Sequence, residues 1–247
     1  MMDIQPVSET YLIIYLGNAI DLDLTPAIGH LTHFLQHFPL PGIVDVIPAY
    51  TSVLVQYHPN HLRYAQLVVA LRQYEAACLF PQKPHVDRQH PDRQHNNDNA
   101  GDRTLTLPVF YDDAVGPDLA AVAEFAGLSV DAVIARHCAK TYTVCAIGFA
   151  PGFAFLAAVD EQIAMPRQAT PRKQVPAGSV GIANQQTAVY PNASPGGWQI
   201  IGNCPVPLFT PDKTPMSPFS VGDKVQFSPI SREQFLQQGG EIWPHWS

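Results

Sequence analysis

Glycine and proline recur between residues 148 and 202 in clusters far denser than plain hairpin turns require, and this density limits the fold more than any other feature. Glycine opens backbone conformations closed to other residues and proline removes a donor from any ladder, so long regular elements do not fit there. Short strands separated by turns do, over residues 142–149, 180–183, 187–190, 199–201, 206–209 and 224–227. A strand over 104–111 precedes them, with two short helices between. The first helix opens at Pro117 and closes at Gly127, with Leu119, Val122 and Ala123 inward; the second is capped by Ser129 and turns Val130, Val133 and Ile134 inward. Ser231 and Gln234 form a capping box that starts a short terminal helix. This pattern predicts a mainly-β barrel or sandwich.

The first eighty residues read differently. The run 11–16 suits a strand, and Thr25-Pro26 starts a helix with a capping hydroxyl followed by proline at the first helical position. That helix places Ile28, Leu31, Leu35 and Phe38 on one face and stops at Pro39 and Pro41. Strands over 43–47 and 52–57 flank a turn at Pro48-Ala49-Tyr50, and Tyr64, Leu67, Val68 and Leu71 mark a second amphipathic helix. The order predicts a small sheet with helices packed on one face. From residue 81 to 103 the composition changes: Asp87-Arg88-Gln89-His90 is echoed by Asp92-Arg93-Gln94-His95, and polar residues follow. With no apolar group to offset the entropy of ordering, a flexible linker or surface loop is expected. His85, His90 and His95 are evenly spaced, but neither cysteines nor a supporting shell accompany them as a metal site requires. The expected organisation is an α+β domain over 1–80, this insertion over 81–103, and a barrel domain over 104–247.

Composition narrows the function classes. Apolar residues make up 46% and charged residues 14% of the 247, enough for ordinary cores, yet no run approaches the roughly 18 uncharged apolar residues of a membrane span. A formal charge of -7 offers no general attraction for phosphate backbones or anionic lipid, so neither nucleic acid nor a membrane is an expected partner. The opening Met1-Met2-Asp3-Ile4-Gln5-Pro6 lacks a basic segment followed by an apolar stretch, which gives the expectation of a cytoplasmic protein. Cys78, Cys138, Cys145 and Cys204 show no metal-ligand spacing and are expected to be buried, reduced thiols. The chain contains no GxxxxGK(S/T) loop, GxGxxG fingerprint, HExxH pair or GxSxG elbow.

Candidate chemistry gathers in the glycine-rich stretch. Gly148-Phe149-Ala150-Pro151-Gly152-Phe153 joins a permissive backbone to two aromatic rings, which suits close approach to a planar ligand or a partner chain; a tight barrel corner accounts for the same spacing. Arg167, Thr170, Arg172 and Lys173 stand near the Gly178-Ser179 turn, whose N–H groups can receive a phosphate or carboxylate, with solvated surface charge as the competing reading. Gln186, Thr187, Tyr190, Ser194, Gly196, Gly197 and Trp198 add groups that can orient a polar ligand, although Trp198 also reads as a barrel plug. His137 ends a helix with an inward face, so a satisfied core histidine and a general base are both open.

Taken in order, Tyr142, Gly148-Phe149-x-Pro151-Gly152-Phe153, Pro166-Arg167-x-x-Thr170-Pro171-Arg172, residues 175–182, Gln186-Thr187, Tyr190-Pro191 and Ser194-Pro195-Gly196-Gly197-Trp198-x-x-Ile201-Gly202 resemble the carboxyltransferase C/D family. So do residues 42–52, and Gly116-Pro117-Asp118-Leu119 with the helix that ends at His137. The family includes B-type subunits of 5-oxoprolinases, the sporulation kinase inhibitor KipI, and allophanate hydrolase subunit 1 or urea-carboxylase modules. The resemblance implies a small α+β domain followed by a cyclophilin-like barrel. It further implies a subunit of an ATP-dependent hydrolase that converts 5-oxo-L-proline to L-glutamate through phosphorylation of the lactam oxygen. A C-type subunit would share the site and bind ATP, with magnesium, jointly with this chain, and an A-type subunit would complete hydrolysis. Kinase inhibition and a urea-pathway carboxyltransferase half are the alternatives. In this reading the residues named above between Gly148 and Trp198 bind substrate or phosphate, while His137, Gln186 and Tyr190 handle protons or orient the substrate. Arg167 and Arg172 are then expected to face an anion pocket that a second polypeptide closes. Asn184 stands where the family usually has glycine, and Asn203-Cys204 where it usually has Arg-Thr.

Overall fold

The computed structural model describes residues 2–18, 22–37, 40–79, 104–243 and 246. The chain forms two compact units that part after residue 101. In the first, strands β1 (Asp3–Pro6) and β2 (Tyr11–Tyr15) lead to helix α1 (Thr25–His37), strands β3 (Ile43–Pro48) and β4 (Ser52–Tyr57), and helix α2 (Tyr64–Tyr74). The four strands pair antiparallel in the order β1-β2-β4-β3. Leu12 lies opposite Val55 and Ile14 opposite Val53, so all four share one face, and all are buried. Helix α1 packs against β3 and β4 and buries Ile28, Leu31 and Leu35. Phe34 stacks on Tyr74 at 4.4 Å, which joins the two helices. Arg72 holds the amino-terminal end by donating to the Met2 carbonyl and to Glu75, each at 2.7 Å, while the Met2 N–H donates to Glu75. Strand β1 went unread in the sequence because four residues ending in proline give too short an alternation.

The second unit contains β5 (Thr104–Val109), α3 (Leu119–Ala126), α4 (Val130–Ala139), β6 (Thr141–Ile147), β7 (Ala154–Ala157), β8 (Arg172–Val175), β9 (Ser179–Ala183), β10 (Gln186–Val189), β11 (Ser194–Gly196), β12 (Gln199–Asn203), β13 (Lys224–Pro229) and α5 (Arg232–Gln237). Seven strands form one sheet in the order β12-β9-β10-β7-β6-β13-β5, while β8 and β11 make a separate two-stranded ribbon. Phe110, directly after β5, exchanges both backbone hydrogen bonds with Asn203 at the end of β12, each at 2.9 Å. The two edge strands therefore meet, and the fold is mixed α/β with a nearly closed β-barrel sheet. Helix α3 packs on β12 and α4 on β13. Their joint follows the expected punctuation: Gly127 ends α3 at φ +65°, and the Ser129 hydroxyl accepts from the Ala132 N–H at 3.2 Å. The Ser231 capping box forms in both directions, at 3.2 and 2.9 Å.

Some expectations need correction. Residues 206–209 form no strand, because Pro205 and Pro207 remove alternate donors from any ladder. Val130 is 38% exposed in the first turn of α4; the inward face is carried by Val133 and His137. Cys78 is exposed and Cys138 half-buried, so only Cys145 and Cys204 are the buried thiols expected, and all four are free. Phe38, Pro39 and the segment 81–103 with its three histidines lie outside the described residues. Among the described residues no helix is long and apolar enough to cross a membrane.

His137 settles as a core group. It is completely buried, stacked on Phe227 at 4.5 Å, and hydrogen-bonded through Nδ1 to the Tyr111 hydroxyl at 2.8 Å and through Nε2 to Thr187 Oγ1 at 3.0 Å. The single Thr187 hydroxyl hydrogen goes to the Gly181 carbonyl at 3.0 Å. Thr187 Oγ1 must then accept from His137, which assigns the ring proton to Nε2 and leaves Nδ1 to accept from Tyr111. Burial pulls the imidazole pKa down from 6.5 to about 3.

The barrel seam and this buried histidine can each be tested by unfolding. A Cβ at Gly202 would stand 2.7 Å from the Phe110 carbonyl oxygen, at the seam. Gly202→Ala is expected to lower the urea midpoint by the equivalent of about 1–3 kcal/mol without changing the m-value. For His137, the folded protein takes up the proton only near pH 3, whereas the unfolded chain takes it up near 6.5. Its contribution is therefore fully present above about pH 6.5 and is lost as pH falls toward 3, to a limit of about 5 kcal/mol. Urea unfolding at pH 7 and pH 4 should show a smaller stability difference in His137→Gln than in the parent protein.

Candidate functional site

Strand β10 divides the candidate residues into two groups. Side chains alternate along a strand, so Thr187 faces one way, toward His137, and Ala188 and the following Tyr190 face the other. On that second face Ala188 and Tyr190 join a cluster with Phe153, Val175, Ala183, Trp198 and Ile200. Thr187 is thereby committed to the core network. His137 is enclosed with both ring nitrogens engaged, which leaves it no contact with a substrate. Gln186 is half-buried at the start of β10, paired in register with Ala157 and Ala183.

The second face carries an aromatic cleft of about 130 Å3, walled by Phe149, Phe153, Phe155, Tyr190 and Trp198, floored by Pro195, Gly196 and Gly197, and edged by Arg167. Phe153 is its hub, with ring centroids 5.3 Å from Phe149, 4.9 Å from Phe155, 5.4 Å from Tyr190 and 5.8 Å from Trp198. Most of these contacts are edge-to-face or tilted, the arrangement that ring quadrupoles favour. The Arg167 guanidinium lies 5.6 Å over the Trp198 ring, a cation–π contact at the rim. Trp198 is thus a buried core ring and a platform for the cation together. A Cβ at Gly196 would collide with the Tyr190 hydroxyl, so glycine is required for the phenol to reach the cleft. Burial pushes the Tyr190 pKa up to about 12, against the opposing pull of Arg167, a Trp198 backbone hydrogen bond and Arg172. The phenol consequently stays protonated at neutral pH and can donate a hydrogen bond.

Arg172 sits differently from Arg167. Its guanidinium forms a two-pronged pair with Asp118, at 2.9 and 2.7 Å, and lies 5.7 Å over Trp246. Asp118 also accepts from Gln168 Nε2 at 2.9 Å and from the Ile200 N–H at 2.6 Å. The anion at Arg172 is thus supplied from within the chain, and Arg167 is the cation that edges the cleft. Thr170 and Lys173 are exposed. The Gly178-Ser179 turn is committed as well: the Gly178 N–H donates to the Tyr190 carbonyl at 2.7 Å and the Ser179 N–H to Pro176 at 3.3 Å, so these donors do not await an oxyanion. In the first glycine loop, the Gly148 N–H donates to the Phe153 carbonyl and Gly152 adopts φ +80°, while Phe149 adopts φ +68° and leaves its ring 69% exposed. Pro151 is exposed beside it, and Ser194 pairs with Val175 in the ribbon.

A second cavity of about 420 Å3 shares Tyr190 and is lined by Gln174, Gly178, Asn203, Cys204, Glu241 and Trp243 among others. It is larger, but its lining contains no Lys or Arg, so the smaller cleft is the better seat for an anion. Among the described residues no group of three or more His, Cys, Asp or Glu side chains is placed to hold a metal. Asp118, Gln168 and Phe155 were not among the site candidates read from the sequence, where Asp118 appeared only within the family-like run 116–119. Asp118 at a helix entrance looks like a cap, and only its partners, 50 to 82 positions away, reveal otherwise.

Comparisons with known proteins agree with this architecture. The family model described as carboxyltransferase domain, subdomain C and D, matches residues 2–219. A Bacillus subtilis (strain 168) protein, named as the B subunit of 5-oxoprolinase, is 34% identical over 94% of this chain and 94% of the relative. A protein of the same name from Escherichia coli O157:H7 is 34% identical over 90% of this chain and 94% of the relative. Among solved structures, TTHA0988 superposes with a TM-score of 0.75 at 31% identity; the match covers 95% of this chain and 41% of that one, so this chain spans about two fifths of its length. The Kluyveromyces lactis urea carboxylase shares the fold at a TM-score of 0.69 and 19% identity, over 96% of this chain and 22% of that one. The chain belongs to the carboxyltransferase domain family, subdomain C and D.

Proposed function

We propose that this chain is the B-type subunit of an ATP-dependent 5-oxoprolinase, acting in the cytoplasm with C-type and A-type subunits to convert 5-oxo-L-proline to L-glutamate. The observation that carries the reading is the 34% identity to the Bacillus subtilis B-type protein of 5-oxoprolinase over 94% of both chains. The likeness to urea carboxylase is one of fold alone and lends no substrate. In the proposed organisation a small α+β domain over 1–80 and a linker over 81–103 precede a cyclophilin-like barrel over 104–247.

The cleft geometry suits the substrate. 5-Oxoproline is a small flat ring with one carboxylate and one lactam carbonyl. Arg167 offers a charge-assisted partner for the carboxylate, Phe153, Phe155 and Trp198 offer apolar walls, and Tyr190 offers a neutral donor for the carbonyl. ATP does not fit the same space: about 130 Å3 falls below the roughly 300–1,000 Å3 of pockets that enclose larger ligands, and Arg172 is already paired. This chain's part is therefore to hold and orient the lactam, to exclude water from its faces and to keep a phenolic proton beside its oxygen. ATP, with magnesium, falls to a surface completed by the partner subunit, and activity requires the complex.

Mixing the purified A-, B- and C-type subunits with 5-oxoproline and ATP should release glutamate, and release that persists when this chain is omitted would falsify the reading. In the complete mixture Arg167→Ala should raise the KM for 5-oxoproline by roughly 10- to 100-fold, the equivalent of one charge-assisted hydrogen bond, with an unchanged circular dichroism spectrum.

A further inference from the structure

We infer that Asp118 is a positioning residue that sets Arg167 over the aromatic cleft, acting through Gln168 and Arg172. The inference rests on the cleft assigned above. An aspartate at a helix entrance ordinarily caps the first turn, yet the Asp118 side chain makes no capping bond to α3. Its buried carboxylate is instead saturated: Oδ1 accepts from Gln168 Nε2 and Arg172 Nη2, and Oδ2 from Arg172 Nη1 and the Ile200 N–H.

The recipients explain the arrangement. Residues 164–171 have no regular secondary structure, and Arg167 lies in their middle. The Pro166 carbonyl accepts from Gln199 Nε2 at 2.7 Å, and the Gln168 N–H donates to the Gly197 carbonyl at 2.7 Å. Arg167 is thus pinned at the residue on either side, and the Gln168 side chain is tied back to Asp118. Asp118 also neutralises the neighbouring cation, so the cleft presents one guanidinium to a ligand and not two of competing geometry. Fixing the segment and screening Arg172 both act on the same group, Arg167.

The test has two readouts. Hydrogen exchange on the full chain alone should speed by tenfold or more at the amide of residue 168, which donates to the Gly197 carbonyl, in Asp118→Asn, with β9 and β10 keeping their protection. In the three-subunit assay Asp118→Asn should raise the KM for 5-oxoproline about tenfold, and that increase should vanish in an Arg167→Ala background because the two changes remove one interaction. Gln168→Ala, which leaves the buried charge pair intact, should loosen the same segment at an unchanged unfolding midpoint and serves where Asp118→Asn does not fold. Unchanged exchange at the amide of residue 168 in both variants, or a KM effect that adds in full to that of Arg167→Ala, overturns the inference. A mixture that releases no glutamate removes the proposed activity, while the exchange experiment still decides the positioning role.

Discussion

The barrel's working face depends on a carboxylate held almost entirely out of water. Asp118 and Arg172 retain about 10% and 13% of their side-chain exposure, and between them they join the entrance of α3, the β8–β11 ribbon and β12. Burying two charges costs several kcal/mol per ion, and their attraction offsets this only when every remaining lone pair and proton is satisfied. Here four donors satisfy one carboxylate. The net gain over an apolar pair is small on such terms, whereas loss of one partner typically costs about 3–5 kcal/mol because a buried charge is left alone. Such a pair contributes orientation more than stability. A guanidinium fork meets a carboxylate in few geometries, so the ribbon is held at a fixed angle to the helix. Arg167, five residues before Arg172, inherits that angle through Gln168.

One strand then separates rigidity from binding. On one side of β10, the chain from Tyr111 through His137 and Thr187 to the Gly181 carbonyl is fully satisfied and enclosed. Such a network specifies a single arrangement, since each partial break leaves a buried polar group unpaired. On the other side, the buried Tyr190 ring meets Phe153 edge-on and lines the cleft with Trp198. Burial acts in opposite chemical directions on the two groups and keeps both neutral, lowering His137 to about 3 and raising Tyr190 to about 12. The histidine is thereby withdrawn from proton chemistry, and the tyrosine is kept as a donor.

What the sequence made legible was local. Gly127, Ser129 and the Ser231–Gln234 box each act within four residues, and each appears where its spacing places it. The short strands β7, β8 and β11 have three or four residues, too few for an alternation to rise above the surrounding turns. The residues that line the aromatic cleft also stood out, because so many glycines and aromatics are unusual for ordinary hairpins. The division of labour inside it was not. Arg167 and Arg172 are chemically alike and five positions apart, and what distinguishes them is a carboxylate 54 residues upstream of Arg172. Alternation sets Thr187 and Tyr190, just past the end of β10, on opposite sides, but only the tertiary contacts show that one side is the His137 network and the other the aromatic cluster.

The Phe149 loop bears on the alternatives that its spacing left open. A tight barrel corner needs a turn, and Gly148 and Gly152 with the Phe153–Ala150 backbone bond provide it. It does not need a phenylalanine at φ +68°, a conformation that costs roughly 1–2 kcal/mol for a residue bearing a Cβ, nor a ring 69% exposed. Within this chain the ring gains only an edge contact with Phe153 at 5.3 Å. In the proposed assembly a covering surface would remove that ring from water, and burying a phenylalanine contributes about 1.5–3 kcal/mol, enough to offset the backbone term. The two unfavourable features sit on one residue at the rim of the cleft. Cover by a partner chain in the proposed assembly would offset both at once.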